Sequence, residues 1–302
     1  MLVDILKDEI ISNIFFCSKF NIHKILIQFQ SNILIPCKLF GGERIMIGYK
    51  SDYEQKLLKF YSQIVKCSQN ECINHGALNN PNAKYCYIPR SFCVNFYHPK
   101  KILIVSTNPG KMTKEEKKVY SKIHQPPNEI SSKESIELVK SHVKICKKMM
   151  INGINFDENR KSLGFHRDLM EAVAWVLDIK KSEVLDYVNY TSIIKCQTHP
   201  PYSYLKPKDR KFLAEICFNR FLHAEIELLK PELILTYGQD VFKYFHLHDL
   251  IPIKVFQLPN TWFGASLVQK KQWRDMLDVK KNNLDLIIKK IKQEYKEEGL
   301  LF

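Results

Sequence analysis

Nine cysteines and one Asn-Pro-Gly tripeptide are the residues of this sequence best suited to chemistry. The sequence shows no export signal, so we expect a reducing compartment, where disulfides are rare and grouped thiols indicate a metal site. Three of the cysteines lie in apolar or helical patterns and are predicted to be small buried side chains. These three are Cys17, Cys37 and Cys146.

The other six cysteines come from two distant parts of the chain. One pair closes a predicted helix from Tyr53 to Val65, a second pair follows in a loop-rich stretch, and a third comes more than a hundred residues later. Four thiolates drawn from both parts would hold the fold around a single ion or a cluster. The residue types leave open which four serve, and whether the metal is zinc or an iron–sulfur cluster. In chain order the pairs are Cys67 and Cys72, Cys86 and Cys93, and Cys196 and Cys217.

The Asn-Pro-Gly tripeptide follows a run of buried-strand type. The apolar run Ile102 to Val105 breaks at Thr107-Asn108-Pro109-Gly110, which predicts a loop. Ligands of parallel sheets bind beyond the carboxyl ends of the strands. We expect three loops at those ends, at residues 106–111, 192–204 and 258–266.

Strands alternate with helices in the rest of the chain. This alternation predicts an α/β fold with three layers (αβα), in which helices cover both faces of a central, mainly parallel sheet. The predicted strands are Val188 to Ile194, Leu233 to Tyr237 and Lys254 to Leu258, and the predicted helices are Arg167 to Asp178, Asp209 to Leu229 and Asp240 to Phe245.

Two domains are expected. Residues 1–50 predict an N-terminal extension, in which a short amphipathic helix precedes alternating segments around Gly41-Gly42, a β-hairpin pattern. Residues 51–302 are predicted to form the main domain. Its lysine-rich stretch 111–150 contains a predicted loop, and its last helical stretch runs from Lys270 to Tyr295.

The charge of the chain favours an acidic polymer as its partner. Lys and Arg number 46 against 32 Asp and Glu, which gives a formal net charge of +14. Such an excess most often serves nucleic acid. The alternative is a genome of low GC content, which enriches lysine everywhere. No apolar run approaches the ~20 residues of a membrane span, so we expect a cytoplasmic monomer without a membrane partner.

Four motifs stand in the order found in the uracil-DNA glycosylase superfamily, which the sequence resembles over roughly residues 53 to 266. The most similar branch carries an iron–sulfur cluster. The motifs are the paired cysteines after a helix, the loop Asn108-Pro109-Gly110, the strand Val188 to Cys196 ending in Lys-Cys, and Cys217-Phe-Asn-Arg-Phe-Leu followed by Leu229 to Gly238.

The resemblance implies a monofunctional DNA glycosylase. Such an enzyme hydrolyses the N-glycosidic bond of a flipped-out pyrimidine and leaves an abasic site. The implied cofactor is a 4Fe-4S cluster, with structural zinc as the alternative. Its implied ligands are Cys67, Cys72, Cys196 and Cys217, although Cys86 and Cys93 could replace the earlier pair. The implied catalytic residue is Asn108, and the implied substrate contacts are Thr107, Pro109, Gly110, Ser192, Asn260 and Thr261.

DNA contacts are expected around the same loops. Phe263 is the candidate for the side chain that fills the gap left by the flipped nucleotide. Basic residues near the loops would bind phosphates without reading sequence. Besides Lys111 and Lys206, these are Lys114, Arg160, Arg167, Lys195, Lys208 and Arg210.

Three departures from the family pattern bear on the substrate. The iron–sulfur branch usually has Glu-Ala-Pro-Gly where this chain has Asn-Pro-Gly, which is similar to the loop of the mismatch-specific branch. Ser192 stands where uracil-specific members place an asparagine, and Leu258 stands where the family has a histidine. These departures predict a modified pyrimidine, for example the hypermodified cytosine of phage DNA, and hence antiviral defence.

Two alternatives remain at this point. The first is a uracil-excising repair glycosylase in which Asn189 or Asn260 compensates for Ser192 and Leu258. The second is a catalytically inactive iron–sulfur protein that binds DNA.

Overall fold

The computed structural model describes residues 36–38, 44–46, 52–78, 89–90, 100–109, 112–123, 125–154, 164–248, 253–258, 275 and 284–298. The chain divides into two units, residues 1–55 and 56–302. In the first unit, β1 (Pro36–Lys38) pairs antiparallel with β2 (Arg44–Met46). The predicted hairpin is therefore present in these strands, whereas the amphipathic helix predicted before it lies outside the described residues.

The described residues of the second unit alternate between helices and strands, as the sequence predicts. The elements in chain order are α1 (Asp52–Val65, which begins in the first unit), α2 (Asn70–Asn74), β3 (Ile102–Ser106), α3 (Lys114–Tyr120), α4 (Ser132–Ile154), α5 (Gly164–Leu177), α6 (Val184–Tyr187), β4 (Val188–Ser192), α7 (Pro207–Cys217), a π-helical turn (Phe218–Leu222), α8 (His223–Leu229), β5 (Leu233–Tyr237), α9 (Gln239–His248), β6 (Lys254–Leu258) and α10 (Asp285–Glu297).

Four of the strands form one parallel sheet in the order β4-β3-β5-β6. β3 and β4 are buried at every position, because each is a short apolar or small-residue run covered on both faces. The register aligns the final residues of all four strands. We call this row the last rung; it consists of Ser192, Ser106, Tyr237 and Leu258.

Helices cover both faces of this sheet. On one face, Ile102, Ile104 and the alternate residues of the other strands pack with α5 and α10 in a single core cluster. On the other face, Thr191 of β4 contacts Glu225 of α8, which also binds Tyr61 of α1. The predicted three-layer αβα fold is confirmed. The last rung lies on the face that α5 covers, since its residues alternate in step with Ile102 and Ile104.

Two regions differ from the sequence prediction. The lysine-rich stretch contains the 23-residue helix α4. Its apolar positions Val139, Val143, Cys146 and Met150 are buried at helical spacing, but lysines between them hide the pattern. The helix predicted over Asp209 to Leu229 contains a π-helical turn between α7 and α8. Of the predicted C-terminal helical stretch, the structure describes residue 275 and residues 284–298.

Among the described residues, no helix has both the length and the apolar character that crossing a membrane requires.

Candidate active site

The last rung carries hydroxyl groups on two neighbouring strands. The Ser106 hydroxyl shares hydrogen bonds with the Tyr190 hydroxyl and with the Ser192 hydroxyl, each 2.7 Å long. All three residues are buried. Burial raises the pKa of Tyr190 to about 12, so its hydroxyl stays protonated and can donate. If Tyr190 donates to Ser106 and Ser106 donates to Ser192, the proton of the Ser192 hydroxyl points away from the other two hydroxyls.

The loop after β3 holds Asn108 in one orientation. The loop begins as a continuation of sheet pairing, because the backbone N–H of Ile194 donates to Thr107 O at 2.9 Å. The Asn108 side-chain nitrogen donates to Pro109 O at 3.2 Å and to Thr198 Oγ1 at 3.3 Å. Both partners are acceptors for the N–H groups, so the amide oxygen is the atom left to bind a water molecule. Asn108 is half-buried and Pro109 is buried.

Gly238 lets the loop approach the end of β5. Its φ is +122°, and a Cβ at this position would lie 3.0 Å from the Thr107 methyl group. A side chain here would strain the backbone and also push against Thr107, the residue before Asn108.

Four of the candidate ligand cysteines are buried; we call Cys67, Cys72, Cys196 and Cys217 the cysteine group. Their exposed fractions are 7%, 4%, 5% and 6%. Burial raises the pKa of the Cys196 thiol well above its usual range, and charge repulsion from the other three thiols raises it further. The other three thiols are therefore near enough for their charge to act on Cys196.

The surroundings of the cysteine group suit thiolates. The backbone N–H of Gln69 donates to Cys67, and that of Lys195 donates to Cys217, which lowers the pKa of each thiol against the larger effect of burial. The Arg220 guanidinium acts in the same direction on both. Hydrogen bonds to sulfur and nearby charge tune a cluster that is bound by cysteine thiolates. The chemistry of these donors, taken without their geometry, therefore suits a thiolate-bound metal group.

The side-chain geometry does not match this donor chemistry. In the part of the chain that the structure describes, no group of three or more His, Cys, Asp or Glu side chains is arranged to hold a metal ion. The other candidate ligands, Cys86 and Cys93, lie outside the described residues, whereas Cys146 is a buried thiol on α4 as predicted.

Hydrogen bonds connect the cysteine group to the loop that carries Asn108. The backbone N–H of Ala77 donates to Cys72 O at 2.9 Å. Ala77 pairs in turn with Thr198 in an isolated β-bridge. Thr198 accepts the hydrogen bond from Asn108, so three consecutive contacts join a cysteine backbone to the candidate catalytic amide.

Two assignments made from the sequence are wrong. Lys195 does not reach phosphates, because it is completely buried and forms an ion pair with Glu225. Asn189 does not compensate for Ser192, because it stands opposite Leu103, three positions from the end of β4 and on the other face of the sheet.

The remaining predicted residues fall into two sets. Lys114, Lys206 and Lys208 are exposed, and Leu258 is buried in the core. Arg167 pairs with Asp168 and Arg210 with Asp240, each at 2.8 Å. The other set lies outside the described residues and comprises Gly110, Lys111, Arg160, Asn260, Thr261 and Phe263.

Sequence reasoning missed Thr198 and Tyr190 as parts of the site. Thr198 lies in the predicted loop 192–204, but no spacing rule links it to Asn108. Tyr190 could have been found, since it precedes Ser192 by two residues in a strand and therefore shares its face.

The Asn108 carboxamide and several buried hydroxyl groups lie together at the carboxyl edge of this parallel sheet. This edge is where α/β proteins bind their ligands. The family model for the Uracil DNA glycosylase superfamily matches residues 95–281, more than half of the chain. The chain belongs to this superfamily, whose members are DNA glycosylases. The matched range contains Asn108, Ser192 and two of the four cysteines. No curated protein matches the chain.

Proposed function

We propose that this protein is a monofunctional DNA glycosylase that hydrolyses the N-glycosidic bond of a flipped-out, modified pyrimidine and leaves an abasic site. Membership of the superfamily supports base excision from DNA. The observation that carries the proposal is the Asn108 amide, whose nitrogen is engaged by Pro109 and Thr198 at the end of β3. The proposed setting is a cytoplasmic monomer acting on DNA.

The carboxamide suits a hydrolysis that passes through a cationic sugar. The bond between C1′ and the base nitrogen breaks, and its electron pair leaves with the base. A water molecule donates a hydrogen bond to the Asn108 oxygen, adds to C1′, and loses a proton that the departing base ultimately takes up. Because the amide is neutral, it can orient water without needing to change its own protonation state.

The modified substrate is supported by the two departures on the last rung. Ser192 replaces a longer amide with a short hydroxyl, which leaves space beside the base. Leu258 supplies no donor to the departing base, so a base that leaves more readily than uracil suits the site. Hypermodified cytosines that protect phage DNA are bulkier than uracil and fit the first of these conditions, and removal of such bases would serve antiviral defence.

We also propose that the cysteine group binds a 4Fe-4S cluster, with a single zinc ion as the alternative. The burial of four thiols from two distant segments, together with their electrostatic effect on Cys196, supports this assignment. When bound, the cluster would cross-link the two segments. Ala77 and Thr198 connect the cysteine group to Asn108, so they would carry the stabilising effect of the cluster to this residue.

Replacement of Asn108 tests the proposed activity. Oligonucleotides containing one uracil, one mismatch, one 5-hydroxymethylcytosine or one glucosylated 5-hydroxymethylcytosine are incubated with the protein, and abasic sites are detected by alkaline cleavage. We expect release of the modified cytosine and a loss of about 100- to 1,000-fold in Asn108→Ala, the usual worth of one preorganised hydrogen-bonding group in an active site. Asn128→Ala, at an exposed position, is the matched control.

The same experiment separates the alternatives. Release of uracil alone would replace the defence role with a repair role. Absence of release from every oligonucleotide, together with unchanged DNA binding by Asn108→Ala, would identify a binding protein that has lost turnover.

A further inference from the structure

Asp168 places a carboxylate at the carboxyl edge of the sheet that the mechanism above does not use. It is the fifth residue of α5 and is completely buried. Arg167 Nε donates to its Oδ1 at 2.8 Å. Its other oxygen, Oδ2, has no hydrogen-bond partner in the described part of the structure.

The carboxylate lies over the last rung. α5 packs on the face of the sheet that presents Ser192, Ser106 and Tyr237. Burial, followed by the negative charge of Asp168, raises the pKa of Tyr237 to about 12, so the carboxylate is close to this ring. Ser106, beside Tyr237 on the rung, is two residues before Asn108. Asp168 therefore shares the edge of the sheet with the candidate catalytic loop.

A buried carboxylate oxygen without a donor is costly, because it has lost its water and gained no hydrogen bond in return. Such an atom is explained when a ligand supplies the donor. Pyrimidines differ here at position 4, where cytosine carries an amino group and uracil carries a carbonyl oxygen. A carboxylate accepts a hydrogen bond from the amino group and repels the carbonyl oxygen.

We infer that Asp168 determines base specificity: its Oδ2 accepts a hydrogen bond from the exocyclic amino group of a cytosine-type base bound against the last rung. The inference rests on the proposed glycosylase function and names the atom by which the base is read. Substituents at C5 of cytosine leave the amino group in place, so hypermodified cytosines keep this contact. The Ser192 hydroxyl lies on the same rung, hydrogen-bonded to Ser106.

The test measures binding, so it does not depend on turnover. Oligonucleotides carry a 2′-fluoroarabino sugar, which resists cleavage, and one of three bases: 5-hydroxymethylcytosine, the same base without its 4-amino group, or uracil. We expect the wild-type protein to bind the amino-bearing base about 10- to 100-fold more tightly than the other two, as for a hydrogen bond to a charged group. Asp168→Asn should lose this preference and favour uracil.

Asp186→Asn is the matched control, because it removes an exposed carboxylate on α6, before the start of β4. It should keep the wild-type preference. If Asp168→Asn fails to fold, the inference is still tested by comparing how tightly the wild-type protein binds the base with the amino group and the base without it. Equal binding of those two bases, or unchanged preference in folded Asp168→Asn, would overturn the inference. If the wild-type protein nevertheless releases a base, the role of Asp168 is rejected while the proposed glycosylase function is retained.

Discussion

Asn108 depends on a neighbour that lies 90 residues further along the chain. The Thr198 hydroxyl accepts from the amide nitrogen and thereby selects which amide atom is free to orient water. Pro109 O is the second acceptor, but it belongs to the same loop and moves with it. Thr198 is therefore a positioning residue for the amide.

Replacing the Thr198 hydroxyl with a methyl group tests this role. Thr198→Val should lower the rate of base release about fivefold, the value of one hydrogen bond worth about 1 kcal/mol, while DNA binding stays unchanged. Thr236→Val is the control, since Thr236 is also buried and donates to a backbone oxygen, but on the face of the sheet away from the last rung. Equal effects of both variants on base release would remove Thr198 from the site.

The sequence predicts some of these residues and not others. Asn108 could be found because a Pro-Gly turn directly follows a buried strand, and a parallel sheet directs such turns to its ligand edge. Asp168 could be recognised only weakly in the sequence, as a charged residue four positions before Ala172 on the apolar face of α5. Thr198 could not be recognised, because hydrogen bonds between loops depend on the folded geometry rather than on spacing in the sequence.

A buried ion pair connects three structural elements behind the site. Glu225 of α8 accepts hydrogen bonds from Tyr61 of α1, Thr191 of β4 and the ammonium group of Lys195. Lys195 and Glu225 are both completely buried. The Lys195 backbone also donates to Cys217, so the pair fixes the strand that enters the cysteine group.

Removing one member of this pair should destabilise the fold strongly. Lys195→Met leaves the Glu225 carboxylate buried without its cation, and we expect a loss of about 3–5 kcal/mol in the free energy of unfolding. Urea denaturation followed by circular dichroism measures the loss. Lys140→Met, which breaks the exposed pair with Glu137, should have little effect. Stability of Lys195→Met close to that of the wild type would show that the pair does not hold these elements together.

The strands could be predicted more exactly than the helices. The predicted bounds of β5 and β6 match the structure, because short apolar runs between Pro, Gly and charged residues have few alternative readings. α4 was not predicted, because lysines lie between its buried apolar positions and obscure the helical pattern. The π-helical turn after Cys217 was not predicted either, because an inserted residue in a helix changes the hydrogen-bonding register without changing the type of residue.

For the molecule as a whole, the cysteine group joins chain segments that are far apart in sequence. Residues 67–78 and 196–217 contribute its members, and they also meet through the bridge between Ala77 and Thr198. Without a metal, four protonated thiols contribute only ordinary burial. With one, the bonds to sulfur would close a loop of more than a hundred residues, so metal binding and folding stability should change together.

Anaerobic purification followed by metal and sulfide analysis tests this coupling. We expect about four iron atoms and four sulfides per chain, with a brown colour. Cys217→Ser should lose the metal and melt at a lower temperature. Cys146→Ser replaces an equally buried thiol outside the group and should keep the metal, which separates loss of the centre from loss of a buried sulfur atom. One zinc per chain would establish the alternative centre, whereas a metal-free protein whose Cys217→Ser variant melts like Cys146→Ser would reduce the cysteine group to ordinary core packing.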